Sequence, residues 1–352
     1  MKQKHAAACV LASALASLGG CPIATEDEPT TQLLGVAENQ AYFEHYEEWS
    51  GFVTLPSTIW ELDLDSGEAE QIQAARVQYD AQVAGDYYVA ERPTDDDLGS
   101  RVVAVQISTG DEIVVLQRDV QLGGRYDSVF ALCATRVVAI TDNGLLVYDL
   151  QTRQVEQTID VDEELVEIYA ASDEWALVVH DAPYSGNELL INLQTGEAEP
   201  IPELPDEYHG LFFEAAFGAD SMFTASFRED GAGEARAVHA LHIPTMTWEM
   251  LVDYGESDAP WYATPLAYVG GADETHVLAE YIDRLRETRI ELIDIASGRS
   301  VLIDRTEGLW GFQYCPHLHA NRVYWTDGTL GVLVIHDLST AQRETVPLPV
   351  LD

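Results

Sequence analysis

Apolar and polar side chains alternate along this chain in short runs, and turns of one recurring kind separate the runs. Leu146, Tyr148 and Leu150 alternate with Val147 and Asp149, the period of two that puts successive side chains on opposite faces of a strand. A turn of the type Asp-Leu-x-Thr-Gly follows, and then a second alternating run. This unit recurs seven times, at residues 59–72, 102–116, 145–159, 188–201, 238–251, 289–303 and 331–346. The Ser or Thr of the turn marks each copy: Ser66, Thr109, Thr152, Thr195, Thr245, Ser297 and Thr340, separated by 43, 43, 43, 50, 52 and 43 residues. Where the turn opens with Asp and closes with Gly, it has the side-chain acceptor and the positive φ that a tight hairpin needs.

Two further strands precede each unit. In the third copy they are residues 128–134 and 136–142, followed by an Asn143-Gly144 turn, with counterparts at 84–90, 171–179, 218–225 and 320–325. Four antiparallel strands repeating every 40 to 50 residues are the period of propeller blades; a sandwich or a parallel β-helix has no such regular unit. The pattern therefore predicts an all-β chain, a seven-bladed β-propeller of four-stranded antiparallel blades over residues 33–350. The repeats resemble the broad propeller group that includes the YVTN, quinoprotein-like and WD-repeat families, and the turn is closer to the first two, since no copy ends its third strand in Trp-Asp. The resemblance implies a disc with a central channel and ligands met at one face or at the channel mouth. It implies no reaction, because propellers host enzymes and binding scaffolds alike. The phase, with a first strand near Leu33 and a last near Leu348, predicts blades that exchange no strand.

The first twenty residues do not belong to this pattern. Lys2 and Lys4, the apolar stretch Ala6 to Leu18 and Gly19-Gly20-Cys21 have the basic, apolar and small-residue order of a secretory signal, too short for a stable membrane span. Small residues running into a cysteine resemble the lipobox of bacterial lipoproteins. That implies a signal peptide over 1–20, acylation of Cys21, and a protein exported to the bacterial cell envelope, on the periplasmic or outer-membrane face. Residues 21–32 read as a solvated tether. On this reading Cys21→Ser should release the protein into the soluble fraction; equal membrane retention of that variant would contradict it.

Charge narrows the partners. The chain carries 18 Lys plus Arg against 61 Asp plus Glu, and the only lysines lie in the leader. Such an acidic protein repels nucleic acid. The expected partners are a protein, peptide or glycan ligand and the membrane through lipid at Cys21, with the chain itself a monomer.

Candidate chemistry is sparse. There is no G-x-S-x-G elbow, no Walker A loop, no C-x-x-C and no H-E-x-x-H, so catalytic residues are not identified and a role as a binding or scaffolding module ranks ahead of an enzyme. The alternative is an envelope enzyme, a hydrolase, lyase or quinone-type oxidoreductase, with its site at the channel mouth. Loops joining successive blades, and those between second and third strands, hold surplus aromatics and arginines: Trp49, Tyr184, Tyr208, Trp261, Tyr262, Trp310, Arg76 and Arg125. Aromatics with scattered Arg are what a recognition face uses, although each could instead cap the core beneath its own loop. Inner-strand positions five and three residues before each second strand are small in most blades, as at Gly35 and Ala37 or Ala131 and Cys133; blade seven places His317 and His319 there, with Cys315 two residues earlier. Cys315, His317 and His319 share one strand face and offer ligands suited to a divalent metal, against the plainer reading of histidines packed at a blade junction. Cys133 and Cys315, in blades three and seven, are expected to be unbridged.

Overall fold

The computed structural model describes residues 30–37, 39–46, 56–77, 80–94, 99–118, 128–133, 135–180, 187–205, 208–229, 234–257, 267–282, 287–307, 316–327 and 331–348. They form strands β1 to β28 in seven four-stranded sheets, each made of four consecutive strands. The fold is the all-β seven-bladed propeller that the period predicts, and among the described residues no blade borrows a strand from another. β1 (Thr30–Ala37) opens three residues before the expected start. Thr30, Thr31 and Gln32 pair with Tyr46, His45 and Glu44, and Thr31 Oγ1 lies 2.9 Å from His45 Nδ1. A backbone ladder and a polar contact extend the strand here, so hydrophobic alternation does not reveal it.

Contacts divide the chain into two compact units, residues 1–168 with 347–352, and residues 169–346. In the first unit the leading strands β1, β5 (Asp80–Ala84) and β9 (Phe130–Cys133) touch in succession. Gly35 permits the approach of β1 to β5: a Cβ there would lie 3.2 Å from the Val83 carbonyl oxygen. Between β5 and β9 the Gln82 amide does the joining, accepting from Leu132 N–H at 2.8 Å and donating to the Phe130 carbonyl at 3.4 Å. Between the sheets, Ile59, Tyr88, Ala90 and Val103 form one apolar cluster and Val89, Val102, Phe130 and Leu146 another. Cys133 is buried and unbridged, as expected; Cys315 lies outside the described residues.

In the second unit β17 (His209–Phe217), β21 (Ala267–Ala272) and β25 (His317–His319) follow the same order. Here the approach is closer, since a Cβ on Gly270 would lie 2.5 Å from the Pro316 carbonyl oxygen. Leu278, Ile290, Leu292, Val323, Trp325 and Val334 fill the space between blades six and seven.

The seven marked turns share one backbone shape. The residue after each marker has positive φ, whether glycine (Gly67, Gly110, Gly196, Gly298) or not (Arg153, Met246, Ala341). Asp63, Asp149, Asp294 and Asp337 each accept from the amides or hydroxyls of the turn, as Asp149 does from Thr152 N at 2.6 Å and Thr152 Oγ1 at 3.0 Å. Asn192 fills the same place in blade four. These hydrogen bonds hold all four carboxyl groups below the usual Asp range. A depressed folded-state pKa contributes stability above the unfolded value of about 3.9, and that contribution disappears as pH falls through the folded value. Asn keeps the acceptor without the titration, so the quadruple Asp→Asn variant at 63, 149, 294 and 337 should lose less melting temperature than the parent below about pH 4. Identical acid limbs would show that these turns do not contribute to the acid response.

Candidate functional site

His317 and His319 lie on the inner strand of blade seven, β25, and its pairing brings further polar residues beside them. β25 joins β26 (Arg322–Asp327) through a two-residue turn, Ala320 and Asn321, both with positive φ at 48° and 62°, the primed turn that suits a tight hairpin. This fixes the register: His319 lies opposite Arg322 and His317 opposite Tyr324. On the third strand, β27 (Val332–Asp337), Asp337 lies opposite Arg322. Directly opposed residues share a sheet face. His317, His319, Arg322, Tyr324 and Asp337 therefore stand together on one face, while Leu318, Val323 and Trp325 turn to the apolar cluster on the other.

Blades one and three place small residues at the register positions of both histidines, and blade six does so at the first of them, with Asp273 at the second, opposite His276. Gly35 and Ala37 pair with Tyr42 and Gln40, Ala131 and Cys133 with Val138 and Arg136, and Gly271 with Leu278. In blades two and four the expected alignment is one residue out: Tyr87 and Trp175, not Asp86 and Glu174, pair with the turn residues Gln106 and Asn192. The blade-two counterpart of His317 is then Gln82, opposite Val89, the residue that ties β5 to β9.

Both histidines are half-buried and Tyr324 is buried. The Arg322 side chain is 45% exposed and its Nε lies 3.4 Å from Asp337 Oδ2. Asp337 Oδ1 is occupied by the turn, accepting from the amides and hydroxyls of Ser339 and Thr340 at 2.6 to 3.0 Å, which leaves Oδ2 to the guanidinium. Those turn donors, the Ser339 hydroxyl first, hold the Asp337 carboxyl far below the usual range, so it is a fixed negative charge. Burial pushes the Tyr324 phenol up, while the adjoining Arg322 guanidinium pulls it down. The face thus combines two imidazoles, the side chain most often used as a general acid or base, with a guanidinium suited to a carboxylate.

Among the described residues no three His, Cys, Asp or Glu side chains come together as a metal-binding group. His317 and His319 are two imidazoles, one short of the three protein ligands of a catalytic zinc-type site; Cys315 lies outside the described residues. So do Cys21, Trp49, Tyr184, Trp261, Tyr262, Trp310 and Arg125. Arg76 is on strand β4 (Ala69–Val77), opposite Ser57, and not in a loop, because that strand runs nine residues. Tyr208 is 6% exposed, with the Arg228 guanidinium 5.0 Å above its ring and His239 5.0 Å away. It packs within its own blade, which at this position is the core-capping alternative and not the recognition face.

Sequence reasoning singled out His317 and His319 but missed Arg322, Tyr324 and Asp337. The signal was present: a two-residue turn containing Asn, followed by Arg-x-Tyr at the alternation that returns to the histidine face.

No protein-family model and no curated protein matches the sequence. Solved structures match in fold. An oligogalacturonate lyase in complex with manganese is 12% identical with a TM-score of 0.57, over 92% of this chain and 91% of that one. The β-propeller domain of the Trilobed protease from Pyrococcus furiosus, described as having an open velcro topology, is 9% identical with a TM-score of 0.55, over 90% and 95%. The acylaminoacyl peptidase of Pyrococcus horikoshii is 11% identical with a TM-score of 0.56, but 91% of this chain spans only 52% of it. At such identities the likeness shows the fold alone. It nevertheless corrects the ranking of a non-catalytic role ahead of an enzyme, because the similar propellers belong to a lyase and to peptidases.

Proposed function

We propose that this chain is an envelope enzyme of the lyase kind, cleaving a carboxylate-bearing saccharide at the inner strand of blade seven. One observation carries the reading: register positions that hold Gly35 and Ala37 in blade one, and Ala131 and Cys133 in blade three, hold two imidazoles in blade seven, opposed by Arg322 and Tyr324. The lyase likeness covers 92% of this chain and 91% of the lyase, whereas the likeness to peptidases is to a propeller domain alone or to half of the peptidase chain, which favours lyase over hydrolase within the envelope-enzyme class. Export and acylation at Cys21 would place the enzyme at the cell envelope.

A lyase breaks the glycosidic bond without water. A base removes the proton from the ring carbon next to the carboxylate, the oxygen on the adjacent carbon departs, and a carbon–carbon double bond forms between the two. In this chain one neutral imidazole of the His317 and His319 pair takes the proton. The other, protonated, returns one to the departing oxygen. Arg322 faces the carboxylate as negative charge builds on it. His317 and His319 would also be the protein ligands of any divalent cation held there, but two ligands do not complete a site and no step is derived through one.

The test is to incubate the purified full-length protein with oligogalacturonate, with other uronate oligosaccharides and with neutral glycans, following the ultraviolet absorbance of the conjugated double bond. Turnover of at least one acidic glycan, and of no neutral one, is expected. Saturable binding with no new double bond would remove the enzymatic reading.

A further inference from the structure

We infer that Arg322 is the residue that selects a ligand carboxylate, and that its looser pairing sets it apart from Arg136. The inference rests on placing the site on blade seven. Arg136 and Arg322 hold the same register position, each opening the second strand of its blade opposite the turn aspartate, Asp149 or Asp337. Each also lies opposite the last residue of the inner strand, Cys133 or His319.

Their surroundings differ. Arg136 is closed by Glu156 in a two-point contact, Nε to Oε2 at 2.8 Å and Nη2 to Oε1 at 2.9 Å, the fork geometry that satisfies a guanidinium. Arg322 has a longer single contact to Asp337 Oδ2, at 3.4 Å through Nε, beside the Tyr324 hydroxyl. Its side chain remains 45% exposed. Asp337 cannot approach as a second Glu156, because its Oδ1 is held by the turn. The guanidinium is therefore held by two partners on its own sheet face while the side chain remains accessible to an incoming carboxylate. In a chain with 61 acidic residues the general field repels such a ligand, so selection for an anion requires a local cation, and Arg322 is the one that stands across from His319.

The experiment measures binding of two small probes, galacturonate and galactose, to the full-length protein by isothermal titration calorimetry. The parent, Arg322→Gln and Arg136→Gln are compared, with melting temperatures to confirm folding. The parent should prefer galacturonate, and Arg322→Gln should weaken galacturonate about tenfold or more, the loss expected for a hydrogen bond to a charged partner, while leaving galactose unchanged. Arg136→Gln should retain the preference. Equal binding of the two sugars by the parent, binding of neither, or a preference that survives in Arg322→Gln would overturn the inference. An Arg322-dependent preference without turnover leaves it standing while the lyase reading fails; turnover indifferent to Arg322→Gln does the reverse.

Discussion

Gly270→Ala should destabilise the protein by about 3 kcal/mol, at the upper end of what an overpacked methyl group costs. The added Cβ would lie 2.5 Å from the Pro316 carbonyl oxygen and 3.1 Å from Pro316 Cγ. The nearest obstacle is backbone, so no side chain can rotate away; β21 and β25 must separate. Gly35→Ala is the control, because its Cβ meets the Val83 oxygen at 3.2 Å, a contact relieved by a few tenths of an ångström and expected to cost about 1 kcal/mol. Chemical denaturation of both variants reads the difference. An unchanged midpoint for Gly270→Ala would mean that the inner strands of blades six and seven lie farther apart than described. Because β25 carries His317 and His319, the folded fraction of Gly270→Ala should also turn over more slowly.

His317→Ala and His319→Ala should have the opposite profile. Neither side chain faces the apolar cluster between blades six and seven, which takes Leu318 instead, and both are half-buried. Their removal should change melting by little, about 1 kcal/mol or less of stability. Turnover should fall by about 100-fold to 10,000-fold, the usual contribution of a positioned general acid or base. If the histidines only pack a blade junction, the two effects exchange places: stability falls and turnover does not.

The repeat was legible because its determinants are local. A marker hydroxyl, the acceptor before it and the period-two runs on either side lie within sixteen residues, so spacing alone counts the blades. Positive φ at Arg153, Met246 and Ala341 shows that position in the turn, not the presence of glycine, is what repeats. What escaped depends on pairing. The strand extension at Thr30 comes from a ladder with β2 (Gln40–Tyr46), and in blades two and four the second strand starts at Tyr87 and Trp175, one residue later than the alignment expects. Tyr208 reads as a loop aromatic until Arg228 and His239, 20 and 31 residues further on, are found around its ring. The candidate site was half legible for the same reason. Two histidines on one strand are visible in any sequence, but Arg322 and Tyr324 join them only once the length of the turn at Ala320 and Asn321 fixes which residues face each other.

The proposed reaction depends on the face of blade seven that bears His317 and His319. Its most direct test is the initial rate of double-bond formation by the His317→Ala/His319→Ala double variant, on the acidic oligosaccharide that the parent cleaves, at matched folded concentration. A rate at or near the uncatalysed background is expected, with a melting temperature close to that of the parent. A double variant that melts like the parent and retains the parent rate would place the reaction elsewhere in the molecule and contradict the account.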